Sequence, residues 1–166
     1  MSICLAFPAP KHQAALWAMR EEFRIYAAPM PGGSGLAHCT QFKDWLDAVT
    51  DNADPATVRD GFVHETSLLA FDGPGGPLVG MTALRYTLNE HVLKTGGQIG
   101  LCIRPTMRGR GYGGQCLRLA LQICRAQGID RPLVTCPTDH AAALCLITDN
   151  GGQPDLQSGP TAYRFP

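Results

Sequence analysis

Charge is what this sequence has least of. Charged residues make up 17% of its 166 residues, against about 25% in typical soluble domains. The 14 basic and 14 acidic side chains cancel to a net charge of zero, so no overall field would attract nucleic acid or an anionic membrane. We therefore expect neither nucleic acid nor a membrane as a partner. An anion-binding site would have to be local.

Long apolar runs and paired cysteine motifs are also missing. No stretch approaches the roughly 18 consecutive apolar residues of a membrane-spanning helix. The opening MSICLAFPAPKHQ lacks the basic start and long apolar core of a signal peptide. The seven cysteines form no CxxC pair and mostly lie in apolar runs, which is typical of reduced core residues. These absences predict a cytoplasmic protein without a metal site, and the length predicts one domain over residues 1–166.

Apolar periodicity predicts elements in the order α-α-β-β-β-α-β-α-β. Thr40 is the expected N-cap of the second helix, and a tight turn at 73–77 joins the first two strands as a hairpin. The predicted helices cover residues 11–26, 42–49, 115–127 and 139–149. The predicted strands cover residues 66–71, 78–86, 98–104 and 133–136, with a last edge strand at 161–165.

The segment between the strand at 98–104 and the helix at 115–127 carries the strongest chemical signal. It reads Met107-Arg-Gly-Arg-Gly-Tyr-Gly-Gly114, and its glycines leave backbone N–H groups uncovered. The helix that follows has a partial positive charge at its N-terminus. Cations are added by Arg104, Arg108 and Arg110. The pattern predicts a phosphate or pyrophosphate site; the alternative is a glycine-rich turn that serves tight packing alone.

Two other phosphate-binding motifs do not fit this segment. A Walker A loop is excluded because no GK[ST] follows the glycines. Gly109, Gly111 and Gly114 satisfy GxGxxG, but that fingerprint begins directly at a strand end, and its acidic residue follows the next strand. Here residues 105–108 intervene, and Asp130 precedes the next strand.

The segment resembles the GNAT superfamily of acyl-CoA-dependent N-acetyltransferases. Ile103-Arg-Pro105 and then Arg108-x-x-Gly111-x-Gly113 match, in register, the family's V-x-P and [RQ]-x-x-G-x-[GA] motifs. The similarity extends over roughly residues 66–152, where it resembles one subgroup of predicted acetyltransferases.

This resemblance implies a fold and an assembly. The implied fold is α/β (α+β), with a mixed, mostly antiparallel sheet and helices on both faces. A V-shaped splay would separate the two central strands, 98–104 and 133–136. Sheet edges in this fold often pair two subunits, so the resemblance allows a homodimer.

The resemblance also implies which residues meet acetyl-CoA, the expected co-substrate. Backbone amides of the glycine loop would wrap the pyrophosphate, and the strand edge would pair with the pantetheine arm. The N–H of Ile103 would face the thioester carbonyl and stabilise its developing negative charge. His140 replaces an asparagine that contacts the pantetheine; it either donates a hydrogen bond there or caps the helix. The implied cofactor-binding residues are Leu101, Cys102, Ile103, Arg108, Gly109, Arg110, Gly111, Tyr112, Gly113, Gly114 and His140.

The general acid and base stay unassigned. The family's tyrosine, in a pattern like N-x-x-A-x-x-x-Y, is replaced here by Ile147. Gln98 stands where the subgroup usually has histidine, and an amide cannot take a proton at neutral pH. Cys136 is either a nucleophile or an inert buried thiol. The retained catalytic candidates are Glu65, His140 and Tyr112, with Glu65 alternatively serving turn hydrogen bonds. Further titratable residues are Tyr86, Glu90, His91 and Tyr163.

The function that follows is transfer of an acetyl group from acetyl-CoA to a primary amine of a small molecule, peptide or protein. Direct attack would leave no covalent enzyme intermediate. The alternative is a non-catalytic acyl-CoA-binding regulatory module, because the missing tyrosine and the changes at Gln98 and His140 remove chemical groups but leave the loop intact. The amine-bearing acceptor is not identified by the sequence.

Overall fold

The strands of the protein form two antiparallel ladders. The structure, a computed structural model, describes residues 2–166; Met1, the first residue of the expected domain, lies outside the described residues. The strands are β1 (Ile3–Ala6), β2 (Glu65–Asp72), β3 (Leu78–Arg85), β4 (Ile99–Ile103), β5 (Leu133–Thr135), β6 (Gln153–Pro154) and β7 (Ala162–Arg164). The first ladder has the order β1-β2-β3-β4 and the second the order β5-β7-β6, and all named pairs are antiparallel.

Helices cover both faces of the first ladder. They are α1 (Gln13–Ile25), α2 (Phe42–Asn52), α3 (Glu90–Thr95), α4 (Tyr112–Ala126) and α5 (Ala141–Asp149). Successive side chains of a strand point to opposite faces. Leu69 accordingly packs into the cluster of α1 and α2, whereas Ala70 packs with residues of α4. None of the helices in the described chain is long and apolar enough to span a membrane.

The two ladders touch at one end and then separate. Gly97 forms an isolated bridge with Val134, and the N–H of Gln98 donates to the Leu133 carbonyl at 2.7 Å. Beyond this point, within residues 2–166, β4 is paired only with β3. The predicted V-shaped splay between the two central strands is therefore confirmed.

Three details differ from the sequence-based expectation. The strand at the C-terminus, β7, lies between β5 and β6 and is not an edge strand; β6, with two residues, is too short to show periodicity. Thr40 is not the N-cap of α2: Gln41 holds that position, with an extended backbone (φ −124°) directly before Phe42. The short elements β1 and α3 were not predicted.

Candidate active site

A cleft of about 630 Å³ opens where β4 and β5 diverge. Its walls are β4, β5, the first two turns of α5, residues 94–96 at the C-terminal end of α3, and the loop at residues 29–32. Sequence reasoning identified β4, β5 and α5 as its frame but missed the other two segments. This loop is rich in glycine and proline, and that composition carries no signal of where a loop packs.

The hydrogen-bond register of β4 decides which backbone groups face the cleft. The N–H of Arg104 donates to the Val79 carbonyl of β3 at 2.8 Å. Because bonded positions alternate along an antiparallel pair, Cys102 also directs its backbone groups at β3. The N–H groups of Leu101 and Ile103 therefore point away from β3, toward the open edge.

Leu101 and Ile103 differ in their surroundings. Leu101 lines the cleft and Ile103 does not. The Ile103 carbonyl accepts a hydrogen bond of 3.2 Å from Nε of Arg108, which ties the glycine loop to the strand. Between them, the Cys102 side chain is buried in the core against α1 and α2, and burial raises the pKa of its thiol to about 12. Cys102 was expected to bind the cofactor, but its thiol is in the core and its backbone groups are directed at β3, so it does not line the cleft.

The glycine loop is exposed and leads directly into α4. Gly111 is the N-cap of α4, with a left-handed φ of +79°, and the first N–H groups of a helix have no intrahelical acceptors. A methyl group at Gly113 would lie 3.4 Å from Cδ2 of Leu146, a cleft residue. The start of α4 is thus at the mouth of the cleft, and the exposed side chains of Arg108 and Arg110 flank it. Gly109 and Gly114 belong to the same segment.

Arg104 does not contribute its charge to this loop. Its guanidinium pairs with Glu22 of α1 at 2.7 Å, and the same carboxylate accepts hydrogen bonds from the backbone N–H and the hydroxyl of Thr106 at 2.7 and 2.8 Å. The expectation that Arg104 serves a phosphate is wrong, because a partner from a distant helix already neutralises it.

Tyr112 is not brought to the cleft. Its ring is buried beside β1, β2 and β3, and its hydroxyl donates to a carboxylate oxygen of Asp72 at 2.7 Å. This hydrogen bond raises the pKa of Tyr112 above its ordinary value. The side chain is therefore a structural group on the far side of α4, whereas its backbone belongs to the first turn.

His140 is exposed at the N-cap of α5 and lines the cleft. Its side chain makes no capping hydrogen bond in the described structure, so the alternative that it caps the helix is wrong. His140 lies in the cleft lining together with Pro137 and Ala143.

Glu65 lies behind the cleft wall and forms a hydrogen-bonded ion pair with Arg85. One carboxylate oxygen accepts from Nε of Arg85 at 2.7 Å, and the other accepts from the Ser34 hydroxyl at 2.6 Å. Arg85 itself lines the cleft, whereas Glu65 does not. The hydrogen bonds of Glu65 thus join two strands and the loop, and they are not those of a local turn.

Gln98 and Cys136 both have structural partners. The side-chain oxygen of Gln98 accepts from the Leu133 N–H at 2.6 Å. Cys136 lines the cleft but is buried, and its Sγ donates to the Pro137 carbonyl at 3.4 Å. Burial raises the pKa of this thiol, and the charge of Asp139 raises it further. A protonated thiol is a poor nucleophile, so the inert alternative fits Cys136.

The remaining titratable candidates lie outside the cleft lining. Tyr86 donates to the Thr66 hydroxyl, and Glu90 pairs with Lys94 at 2.7 Å along α3. His91 is exposed on α3, and Tyr163 is half-buried on β7. In the described part of the chain no group of three or more metal-ligating side chains comes together.

The loop that forms the last wall is fixed to the sheet by backbone contact. Gly32 packs directly on Gly100: a methyl group on Gly100 would lie 2.8 Å from Cα of Gly32, and one on Gly32 would overlap the Gly100 carbonyl. Nε1 of Trp45 donates to the Ser34 carbonyl at 3.1 Å, and the Ser34 hydroxyl contacts the Ser67 hydroxyl at 2.7 Å. These contacts hold the loop over the middle of β4.

Several solved structures of acetyltransferases share this fold. An acetyltransferase of the GNAT family from Streptococcus pneumoniae aligns with a TM-score of 0.64 and 17% identity, covering 98% of this chain and 97% of that one. RimJ from Mycobacterium smegmatis, in complex with CoA-disulfide, gives 0.68 and 16%, covering 92% and 71%. RimL, a ribosomal alpha-N-protein acetyltransferase in complex with coenzyme A, gives 0.66 and 15%, covering 99% and 92%. These likenesses show the fold.

The sequence itself gives the family. Residues 33–146 match the model of the "Acetyltransferase (GNAT) family", and these residues include the glycine loop, β4 and most of the cleft. The chain belongs to this acetyltransferase family. No curated protein sequence matches it.

Proposed function

We propose that this protein transfers the acetyl group of acetyl-CoA to a primary amine. The observation that carries the proposal is the open edge of β4, where the N–H of Leu101 faces the cleft and the start of α4 lies at the cleft mouth. RimJ and RimL, which share the fold, are described with CoA-disulfide and coenzyme A. These neighbours support the same ligand for the cleft.

The residues present fit the parts of acetyl-CoA, which supplies the activated acyl group when bound. N–H groups of the first turn of α4 and the guanidinium groups of Arg108 and Arg110 suit a pyrophosphate. The open edge of β4 suits the amide-containing arm, because its N–H groups need acceptors. Leu101 lines the cleft whereas Ile103 does not, so we assign the thioester carbonyl to the N–H of Leu101 instead of the expected Ile103.

The chemistry requires an unprotonated amine held close to the acyl carbon. The nitrogen forms a bond to that carbon, the carbon–sulfur bond breaks, and the proton lost by the amine ends on the departing sulfur. The Leu101 N–H stabilises the negative charge that develops on the carbonyl oxygen. Positioning of the amine provides much of the acceleration. His140 is the exposed imidazole of the lining, and an imidazole can both donate and accept a hydrogen bond.

One observation favours the second candidate, a non-catalytic acyl-CoA-binding module. Across residues 2–166, no tyrosine, aspartate or glutamate side chain lines the cleft. A binding module needs no proton carrier, so such a lining suits it. The two candidates differ in turnover.

Calorimetric titration of acetyl-CoA, followed by thiol release with a panel of amines, tests both. We expect binding in the micromolar range, and thiol release with at least one amine. Gly113→Trp places a large side chain at the cleft mouth and should weaken binding at least about tenfold. Ala18→Trp, at an exposed position of α1, is the matched control and should bind as the parent does.

The outcomes are distinct. If the folded parent protein binds neither acetyl-CoA nor CoA, the cofactor site is rejected. Saturable binding that Gly113→Trp abolishes, without thiol release from any amine, favours the binding module.

A further inference from the structure

We infer that the acceptor is a small amine that carries a carboxylate a few bonds from its amino group, and that Arg85 binds this carboxylate. The inference rests on the proposed function, because it needs an amine acceptor in the cleft. It adds the substrate class and the residue that selects it.

Arg85 is held in place before any ligand arrives. Nε donates to Glu65 at 2.7 Å, and Nη1 donates to the Gly97 carbonyl at 3.1 Å. Its side chain is only 15% exposed, and Glu65 is fixed in turn by the hydroxyl of Ser34. The guanidinium therefore has a defined orientation, and little side-chain entropy remains to be lost on binding.

The third nitrogen of this guanidinium is available. Nη2 has no hydrogen-bond partner within residues 2–166. In the same residues, every buried side-chain nitrogen or oxygen atom does have a hydrogen-bond partner. It follows that Nη2 is accessible, and Arg85 is a lining residue of the cleft. A planar guanidinium with free N–H groups is the side chain best suited to a carboxylate.

The anchor lies close to the point of acyl transfer. A methyl group on Gly100 would lie 3.5 Å from Nη2 of Arg85, and the next residue along β4 is Leu101. One residue of a strand spans about 3.3 Å, which is comparable to the distance between the amino and carboxylate groups of an amino acid. An acceptor held at Arg85 by its carboxylate can therefore place its amine beside the acyl group.

The charges of the lining agree with this acceptor. The cleft lining contains three basic residues, Arg85, Lys94 and His140. No carboxylate lines the described cleft. A polyamine would find no counter-charge. Glu65 and Glu90 neutralise Arg85 and Lys94 from outside, so recognition depends on directed hydrogen bonds to Arg85 more than on an overall positive field.

The first arm of the test uses the parent protein alone. Thiol release is measured at saturating acetyl-CoA with the 20 common amino acids, their carboxamides, spermidine and a short peptide with a free N-terminus. We expect turnover with one or more amino acids, and a KM at least about tenfold higher for the matching carboxamide. Equal use of acid and carboxamide, or a preference for spermidine or the peptide, overturns the inference while leaving the proposed function standing.

The second arm assigns the effect to Arg85. The double variant Glu65→Gln with Arg85→Gln removes both charges together, so no unpaired ion is left in the interior. Its KM for the amino acid should rise at least about tenfold, with unchanged KM for the carboxamide and unchanged affinity for acetyl-CoA. Arg59→Gln, which breaks an exposed pair with Asp51 at 2.8 Å, is the control and should behave as the parent does.

Two further outcomes are decisive. Should the double variant not fold, Arg85→Lys keeps the charge beside Glu65 but loses the planar fork, and the same selective rise in KM is expected. A variant that binds acetyl-CoA and keeps its preference for the acid overturns the role of Arg85. Acetyl-CoA binding without thiol release from any panel member rejects the proposed function itself, and the acceptor class with it.

Discussion

The side-chain oxygen of Gln98 accepts a hydrogen bond of 2.6 Å from the backbone N–H of Leu133, and the backbone N–H of Gln98 donates one of 2.7 Å back to the Leu133 carbonyl. One residue thus makes both bonds of a strand pair, at the end where the two ladders meet. Gln98 closes the narrow end of the cleft, and this structural role suits an amide that cannot act as a base.

Replacing Gln98 should destabilise the fold. Gln98→Ala leaves the N–H of buried Leu133 without an acceptor, which costs about 1–3 kcal/mol of unfolding free energy. Gln98→Glu retains an acceptor oxygen and should keep more of the stability. Urea denaturation monitored by circular dichroism measures both, and an alanine variant as stable as the parent would contradict the linking role.

The two ends of α4 offer a matched pair of glycines. Gly111 and Gly128 have φ values of +79° and +80°, both are exposed, and neither has a described atom within 4 Å of an added methyl group. Alanine at either position costs about 1–2 kcal/mol because of its left-handed backbone. Only Gly111→Ala should also weaken acetyl-CoA binding, by about tenfold, as measured by calorimetry. Equal affinities of the two variants would place the cofactor elsewhere.

Thiol reactivity should follow burial. Burial raises the pKa of Cys136, and it raises the pKa of Cys102 to about 12. Both thiols should therefore stay protonated at pH 7–8. Cys145 is exposed and should be alkylated by iodoacetamide first, as peptide mass spectrometry would show. Cys136→Ser should retain acetyl transfer; loss of transfer together with rapid labelling of Cys136 would indicate a nucleophile.

The contact of Glu22 with Arg104 and Thr106 should make stability depend on pH. Burial alone would raise the pKa of Glu22, but hydrogen bonds from Thr106 and Arg104 outweigh it, and the pKa is lowered. A carboxyl group whose pKa is lowered by folding adds stability at pH values above its ordinary pKa near 4.5. This contribution is lost as the pH falls through the folded-state pKa. Glu22→Gln should cost about 1.5–3 kcal/mol near pH 7.

Denaturation of Glu22→Gln and the parent from pH 7 down to pH 3 gives the check. The difference in unfolding free energy should shrink below about pH 4.5. A constant difference across this range would mean that the charge of Glu22 contributes nothing. Glu90→Gln is the control, because its pair with Lys94 is exposed on both sides and should change stability little.

Local periodicity was enough to locate the long elements. The apolar spacing of Leu16, Met19 and Phe23 marks α1, and all three are buried; the hairpin of β2 and β3 turns at the predicted glycines. Elements of two to six residues carry too few positions for a period, so β1, α3 and β6 were missed. The place of β7 between two strands depends on pairing partners, which spacing along the chain does not encode.

In the candidate site, backbone positions were predictable and side-chain directions were not. The motif placed Gly111 before a helix, where the structure has a left-handed N-cap, and Leu101 on a strand, where its N–H points to the open edge. Nothing in the motif shows that Tyr112 points to Asp72, 40 residues away. Nor does it show that Arg104 is neutralised from α1, or that Arg85 is fixed by Glu65 and faces the cleft.

The contact between Gly32 and Gly100 sets a minimum distance between the loop and β4. The loop already touches β4 with main-chain atoms, so this passage cannot become narrower, and any side chain at either glycine would force it wider. If the proposed acceptor binds here, a change of acceptor preference would come from exchanging lining side chains, such as those of Met30 and Pro31, while the width stays constant. Under the proposed function, we expect replacement of these two side chains to change which amine is acetylated.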